Sequence, residues 1–462
     1  MCRFAGIGEA IQYNLRTAVE CYTRLLAENR MMNPFPSPLR IASIVCMLAS
    51  FLNATHAEEI IRDVTQARVC VTGADHNQPD NYPGIGDFIG WPGGIERMPN
   101  GDLLLAHSAG YWHSSFAQPR QIEPELARRW RSQGWPLDFD APTGGRTMAC
   151  RSTDGGKTWS KPFTILDHKL DDGAHAVFRS KDGTVLCFIG VQASWYGYTD
   201  APKGFEDDID GLNTKQFVMR SQDGGKTWSE PIGLDSPGGL YERAHGVRPI
   251  ELADGAILWP TYYQEKGENF LRGAIRRSDD SGKTWKVISR IVRPDNNIDE
   301  PAITQLKDGR LILVTRPDGA VFHSKDDGVT WSDTGARVVP RGSAKFKAPQ
   351  LIVLKDGTVV SVATCGNLRI YISRDSGKTW SKDMPLDTGS YGYPGSFIVD
   401  EDESILLPYC ASGRAPNRVY LVRFRVNEER SGIDLLPVHS EHRASCSMVY
   451  TLPSDISKTA GD

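Results

Sequence analysis

Six places along this 462-residue chain carry side chains suited to proton transfer or ligand contact, and each precedes a tight turn by about nine or ten residues. They are Trp91, the stretch from Gly173 to His175, His245, Asp299 with Glu300, Lys347, and Tyr393. A phenol, two carboxylates, an amine and an imidazole gathered at one place form a candidate reactive site, because burial and neighbouring charges tune such groups for acid–base work. A channel that holds the same residues around water is the structural alternative.

Gathering them requires a repeating scaffold, and the sequence contains one. Five segments fit Ser-x-Asp-x-Gly-x-Thr-Trp: Ser152 to Trp159, Ser221 to Trp228, Ser278 to Trp285, Ser324 to Trp331 and Ser373 to Trp380. In each, the Asp can accept bonds from nearby backbone N–H groups, the Gly tolerates positive φ and the Trp can pack beneath the turn. These are folding staples. Between them lie apolar strand pairs joined at Asn100-Gly101, Asp182-Gly183, Asp254-Gly255, Asp308-Gly309 and Asp356-Gly357, with a degraded sixth turn at Asp402-Glu403. Asn-Gly and Asp-Gly suit two-residue hairpins with positive φ. One inner and one boxed outer hairpin make a four-stranded antiparallel sheet, the unit of a propeller blade. The expected fold is therefore all-β, a six-bladed β-propeller over residues 58–430, with 431–462 as a C-terminal tail. Arg418 to Val426 reads as the closing strand, completed by pairing near Val64 to Val71. The longest insertion, Gly110 to Thr147, reads either as a loop over the central mouth or as a solvated decoration.

Charge and composition narrow the partners. Lys plus Arg number 53 against 57 Asp plus Glu, a formal charge of −4, with no basic stripe to favour nucleic acid. Residues 1–57 read as a leader plus signal peptide: Met31 to Arg40 is a weakly basic start and Ile41 to Leu52 an apolar run. Thr55-His56-Ala57 then supplies small residues before a cut at Glu58, with Met31 or Met32 as the expected true start. The apolar run is too short to cross a hydrocarbon core of roughly 30 Å, so the mature chain is expected to have no membrane span and to be secreted or periplasmic. The cysteines that survive such a cut show no C-x-x-C pair, which speaks against zinc, and both disulfides and buried thiols stay open. No motif calls for a cofactor or catalytic metal.

The chain resembles the sialidase superfamily over roughly residues 85 to 426. Beyond the boxes, the resemblance is carried by Asp299-Glu300-Pro301-Ala302 running through Asp308-Gly309 to Arg316, by Tyr393-Pro394-Gly395-Ser396, and by His245-Gly246-Val247 before Asp254-Gly255. It implies that Glu300 is the base that activates a nucleophilic Tyr393, with Tyr391 as the fallback, and that Arg316 is one of three arginines clamping a substrate carboxylate. A phenol of pKa near 10 attacks poorly at neutral pH unless a carboxylate takes its proton. Sialidases are an exception among glycosidases in using Tyr.

Two positions depart from that pattern. Trp91 stands where the family's first clamp arginine lies, and Cys365 where the third lies. Arg243, Arg248, His245 and Lys347 are the nearby groups able to compensate, although Lys and His hold a carboxylate with less shape than a guanidinium fork. The family's acidic residue after the first inner hairpin is missing, which leaves His113 as the candidate acid and Asp87 as a weaker one. The resemblance thus implies a secreted glycoside hydrolase that releases a terminal, acidic sugar such as sialic acid from glycans. Catalytic residues would be Tyr393, Glu300 and His113, and substrate contacts Arg316, Trp91, Arg243, His245, Asp299 and Lys347. A lyase or glycosidase acting on uronic acids, and a non-catalytic carbohydrate-binding propeller with Trp91, Trp112 and Tyr393 as stacking surfaces, are the alternatives.

Overall fold

The computed structural model describes residues 64–73, 89–109, 146–166, 171–192, 214–234, 237, 239–265, 267–340, 342, 346–410 and 418–438. The leader, the cleavage site, Asp87, the insertion with His113, and Cys446 lie outside the described residues. Everything below concerns the compact unit Ile60–Asp462.

Six antiparallel sheets follow one another along the chain as the blades of a propeller. Blade one comprises Ile89–Arg97, Leu103–Ala109, Arg146–Ser152 and Phe163–Leu166, and blade two Asp171–Arg179, Val185–Gln192, Thr214–Ser221 and Ile232–Leu234. Blade three has Gly239–Arg243, Ile257–Glu265, Arg272–Ser278 and Lys286–Ile291, with a short Ile250–Glu251 strand completing its innermost edge. Blade four is Asp299–Gln305, Leu311–Arg316, Ala320–Ser324 and Ser332–Arg337; blade five is Phe346–Val353, Val359–Cys365, Leu368–Ser373 and Met384–Asp387. Blade six combines Tyr393–Pro394, Ile398–Val399, Ile405–Cys410 and Val419–Val426 with a strand from the start of the unit, Val69–Thr72. Val69 pairs with Leu421, Cys70 with Tyr420 and Thr72 with Val419, so the ring closes where the sequence placed the closure. Ile433–Leu436, within the stretch read as a tail, also pairs with Val419–Val426, so the sheet continues past residue 430.

Among the described residues, six large apolar clusters are each shared between two neighbouring blades, and a smaller one at the mouth joins Ala348, Tyr393 and Cys410. Each box Trp wedges into the cluster between its own blade and the preceding one: Trp159, Trp228, Trp285, Trp331 and Trp380. The box turns are fixed as their residue types demand. In the fourth, Thr330 N–H and Oγ1 donate to Asp326 at 2.9 and 2.6 Å, Ser324 Oγ donates to Asp326 at 2.8 Å, and Gly328 N–H donates to Ser324 Oγ at 2.9 Å. The Thr330 bonds hold the Asp326 carboxyl below the usual carboxylate range.

The inner turns differ from the two-residue expectation. Met98 N–H bonds Asp102 O and Gly101 N–H bonds Met98 O, which makes a three-residue loop in which Gly101 alone, at φ 91°, is left-handed. This is a type I turn closed by a glycine bulge. The residue before the glycine stays right-handed because its side chain caps the amide two positions on: Asp182 to Thr184, Asp254 to Ala256, Asp308 to Arg310 and Asp356 to Thr358. The sixth turn keeps the geometry with Glu403 at φ 64° in the glycine's place. Among the described cysteines, Cys150, Cys187 and Cys365 are free thiols.

Asp326→Ala removes three bonds from one box while leaving the central mouth untouched. Equilibrium unfolding should show a loss of about 1–2 kcal/mol. Because a depressed carboxyl stabilises only above its unfolded pKa, that loss should shrink as pH falls below about 4.

Candidate active site

The innermost strand of every blade is the edge of its own sheet, and four of the six carry a proline there: Pro92, Pro301, Pro349 and Pro394. Proline is tolerated on an edge because no ladder bond is lost. The pairing slips at these points, between Pro92 and Gly94, Asp299 and Ala302, and Lys347 and Gln350, and it also slips around His175. Glu300 and Ala348 take left-handed φ values of 46° and 47° at two of the bulges. Such strain in residues other than glycine concentrates at functional sites.

Beneath the mouth the axis is closed by backbone. Ile95 N–H donates to Ser396 O at 3.0 Å and Ser396 N–H to Gly93 O at 3.1 Å, joining blades one and six. Gly246 of blade three, at φ 53°, sits so close to the opposite blade that a methyl group on it would lie 2.9 Å from Pro394 O. A methyl on Gly395 would lie 2.7 Å from Pro92 O. Arg248 belongs to this floor, since its guanidinium donates to Phe397 O at 2.7 Å and Glu96 at 3.1 Å. It is committed there and does not compensate for a missing clamp arginine at the mouth.

Above the floor the candidate residues converge. Glu300, 2% exposed, accepts the Tyr393 hydroxyl on Oε1, and Arg316 Nη1 donates to the same oxygen at 2.8 Å. Its Oε2 accepts the Ala348 amide at 2.7 Å, a donor freed from its ladder by the blade-five bulge. Arg316 lies opposite Asp299 in the register, and its Nε reaches Asp299 at 3.3 Å. Burial, then the Glu300 charge, push Tyr393 well above an ordinary phenol, with Arg316 opposing them. The tyrosine therefore stays protonated at rest, with its proton already on a bond to the carboxylate.

Aromatic rings wall the pair. Trp91 lies 4.7 Å from Tyr393 and 5.7 Å from His245, between ring centroids, and the His245 ring meets Tyr393 edge-on at 4.3 Å. Tyr391 stacks on Tyr393 at 5.8 Å with the rings nearly parallel, and Lys347 Nζ donates to its hydroxyl at 3.5 Å. Gly392, left-handed at φ 71° and anchored by Thr364 Oγ1 on its carbonyl, turns the chain between the two tyrosines. The hydroxyl bonded to Glu300 is that of Tyr393, not that of the fallback Tyr391. Arg243 acts on this mouth electrostatically, favouring the charged form of Asp299 and the neutral form of His175. His175 is held by Gln216 at 3.0 Å, and burial keeps its pKa well below normal.

Trp91, Arg243, His245, Asp299, Glu300, Lys347, Arg316 and Tyr393 thus share one mouth, while His113 falls outside the described residues. Sequence reasoning missed the Ala348 amide, whose signal is the proline that directly follows the bulged residue in blades four and five, Glu300-Pro301 and Ala348-Pro349. Among the described residues no cluster of His, Cys, Asp and Glu could hold a metal ion. No described helix is long and apolar enough to cross a membrane.

The BNR repeat-like domain family matches residues 145–406. A sialidase of Bacteroides fragilis (strain YCH46) is 29% identical over 54% of this chain and 52% of its own length. A sialidase of Clostridium perfringens is 30% identical over 40% of this chain and 51% of its own. The chain spans about half the length of the curated relatives it matches. Among solved structures, a protein of unknown function from Dyadobacter fermentans DSM 18053 superposes with a TM-score of 0.57 at 18% identity, covering 80% of this chain and 98% of that one.

Gly246→Ala should disturb the floor, because the left-handed φ and the 2.9 Å approach both oppose a side chain. The expected cost is about 1–3 kcal/mol in equilibrium unfolding.

Proposed function

Because this chain belongs to the BNR repeat-like domain family of the sialidase superfamily, we propose that it is an exported glycoside hydrolase that releases a terminal acidic sugar, sialic acid being the first candidate. The observation that carries the reading is the bond from the Tyr393 hydroxyl to buried Glu300. As Tyr393 Oη attacks the anomeric carbon, its proton passes to Glu300 along that bond, so the poor nucleophilicity of a neutral phenol is overcome during the attack itself. The leaving oxygen takes a proton from an acid, a role proposed for His113. Water then cleaves the tyrosyl–sugar bond: its hydroxyl goes to the anomeric carbon and its proton to the deprotonated acid, while Glu300 returns its proton to the Tyr393 oxygen. A neutral attacker spares an anionic sugar the repulsion a carboxylate nucleophile would meet.

Charge at the mouth supports an acidic substrate. Arg316, Arg243 and Lys347 outnumber the two carboxylates, Asp299 and Glu300. Arg316 keeps its side chain 31% exposed even while bonded to both, which leaves part of the guanidinium to face a substrate carboxylate. Lys347 stands on the strand beside Cys365, since its neighbour Phe346 pairs with Cys365, and so brings a cation close to the position of the absent third arginine. Trp91 and Tyr391 offer flat surfaces to the sugar ring.

The test is turnover of a fluorogenic sialoside beside uronic-acid and neutral glycosides by the chain expressed from Glu58. The sialoside should be cleaved, and Glu300→Gln should lower kcat/KM by about 10²–10⁴-fold, with Tyr393→Phe at least as damaging. Release of an unsaturated, ultraviolet-absorbing product would instead identify a lyase, for which the His245 ring against Tyr393 is the favouring contact. Glycan binding unaffected by Glu300→Gln, without turnover of any glycoside, would identify a binding module.

A further inference from the structure

Asp299 and Glu300 are consecutive residues of one strand, and regular alternation would send their side chains to opposite faces. The bulge and the left-handed φ of Glu300 cancel that alternation. Both carboxyls meet the same guanidinium, Glu300 at Arg316 Nη1 and Asp299 at Arg316 Nε. Glu300 is fully engaged by Arg316, Tyr393 and the Ala348 amide. Asp299 is not: it is 9% exposed, and its Oδ1 is buried with no hydrogen-bond partner among the described residues. A buried carboxylate oxygen without a donor disfavours the charged form.

We propose that Asp299 is a positioning residue that acts through Arg316: while neutral it leaves the guanidinium to Glu300 and an incoming carboxylate, and when ionised it draws Arg316 to itself and repels an anionic substrate. The groups facing it are Glu300 from its own strand, Arg316 from the second strand of blade four, Arg243 from the innermost strand of blade three, and Tyr393 from blade six. Burial, then Glu300, raise the Asp299 carboxyl to about 7, while Arg316 and Arg243 oppose the shift. The exchange of charge therefore falls near neutrality. Asp299 makes no contact with the reacting atoms, and Tyr393 and Glu300 keep their bond in either state.

This inference rests on the glycosidase reading above, so its test includes one arm that needs no substrate. On the glycoside that the protein cleaves, kcat/KM should fall above about pH 7, mainly through KM, and Asp299→Asn should move that basic limb upward by at least one pH unit. Asp299→Ser, equally unable to ionise, should do the same. A uniform loss at every pH, with the limb unmoved in both variants, would show a merely structural residue and overturn the inference. In the second arm, unfolding midpoints are compared between pH 4 and pH 8. A carboxyl raised in the folded state stabilises fully below its unfolded pKa near 4, and that contribution is lost as pH rises through 7. The wild-type protein should therefore lose stability relative to Asp299→Asn across this window, whether or not any glycoside is turned over. Parallel curves would refute the inference by themselves, whereas diverging curves without turnover would count against the hydrolase reading alone.

Discussion

Ring closure is the constraint on which the other contacts depend. Three residue pairs stitch Val69–Thr72 to the strand Val419–Val426, and without them the blades would form an open stack with apolar faces in water. Blade six has no box and so offers no tryptophan to its interface with blade five. Val64 and Cys70 from the closing segment pack against that cluster instead. Arg68 adds a polar clasp, bonding Asp387 of blade five at 2.6 Å while its guanidinium lies 4.0 Å above the Tyr420 ring. Tyr409 donates to the same carboxylate at 2.8 Å, so one buried acid ties the closing segment to blades five and six.

A closed ring brings six edge strands together, and two outcomes follow at different depths. Lower down, where glycines allow it, the backbones touch: Gly93, Gly246 and Gly395 have neighbours closer than a side chain would permit. Higher up the strands bulge, and amides and side chains released from regular pairing point into the mouth. The Ala348 amide on Glu300 and the paired carboxyls on Arg316 both depend on bulges. Floor and site are thus two levels of the same departure from ladder geometry, one providing rigidity and the other exposed chemistry.

Electrostatics at the mouth couples groups that are far apart in sequence. Burial alone would raise both Tyr393 and Asp299, and the cations Arg316 and Arg243 limit how far. A site that holds a protonated phenol against a carboxylate favours proton transfer over prior ionisation. The loss of two arginines relative to the sialidase pattern changes the shape of that positive field more than its sign.

The sequence by itself determined the repeat, and through it the number of blades, the place of closure and the blade to which Trp91, His245, Glu300, Lys347 and Tyr393 belong. It could do so because Ser-x-Asp-x-Gly-x-Thr-Trp and Asp-Gly turns are local devices whose bonds run between residues a few positions apart. The spacing of Glu300, Arg316 and Tyr393 was likewise readable, since each sits at a fixed interval from a turn. Local pattern misjudged the turn type, because a side-chain cap from Asp to the amide two residues on has the same dipeptide signature as a two-residue hairpin. Only the tertiary structure decided that Arg248 serves the floor, that Tyr393 rather than Tyr391 faces Glu300, and that Asp299 shares Arg316 with its neighbour. Those outcomes depend on bulges and on contacts between blades separated by dozens to hundreds of residues, and alternation along a single strand would have placed Asp299 and Glu300 on opposite faces.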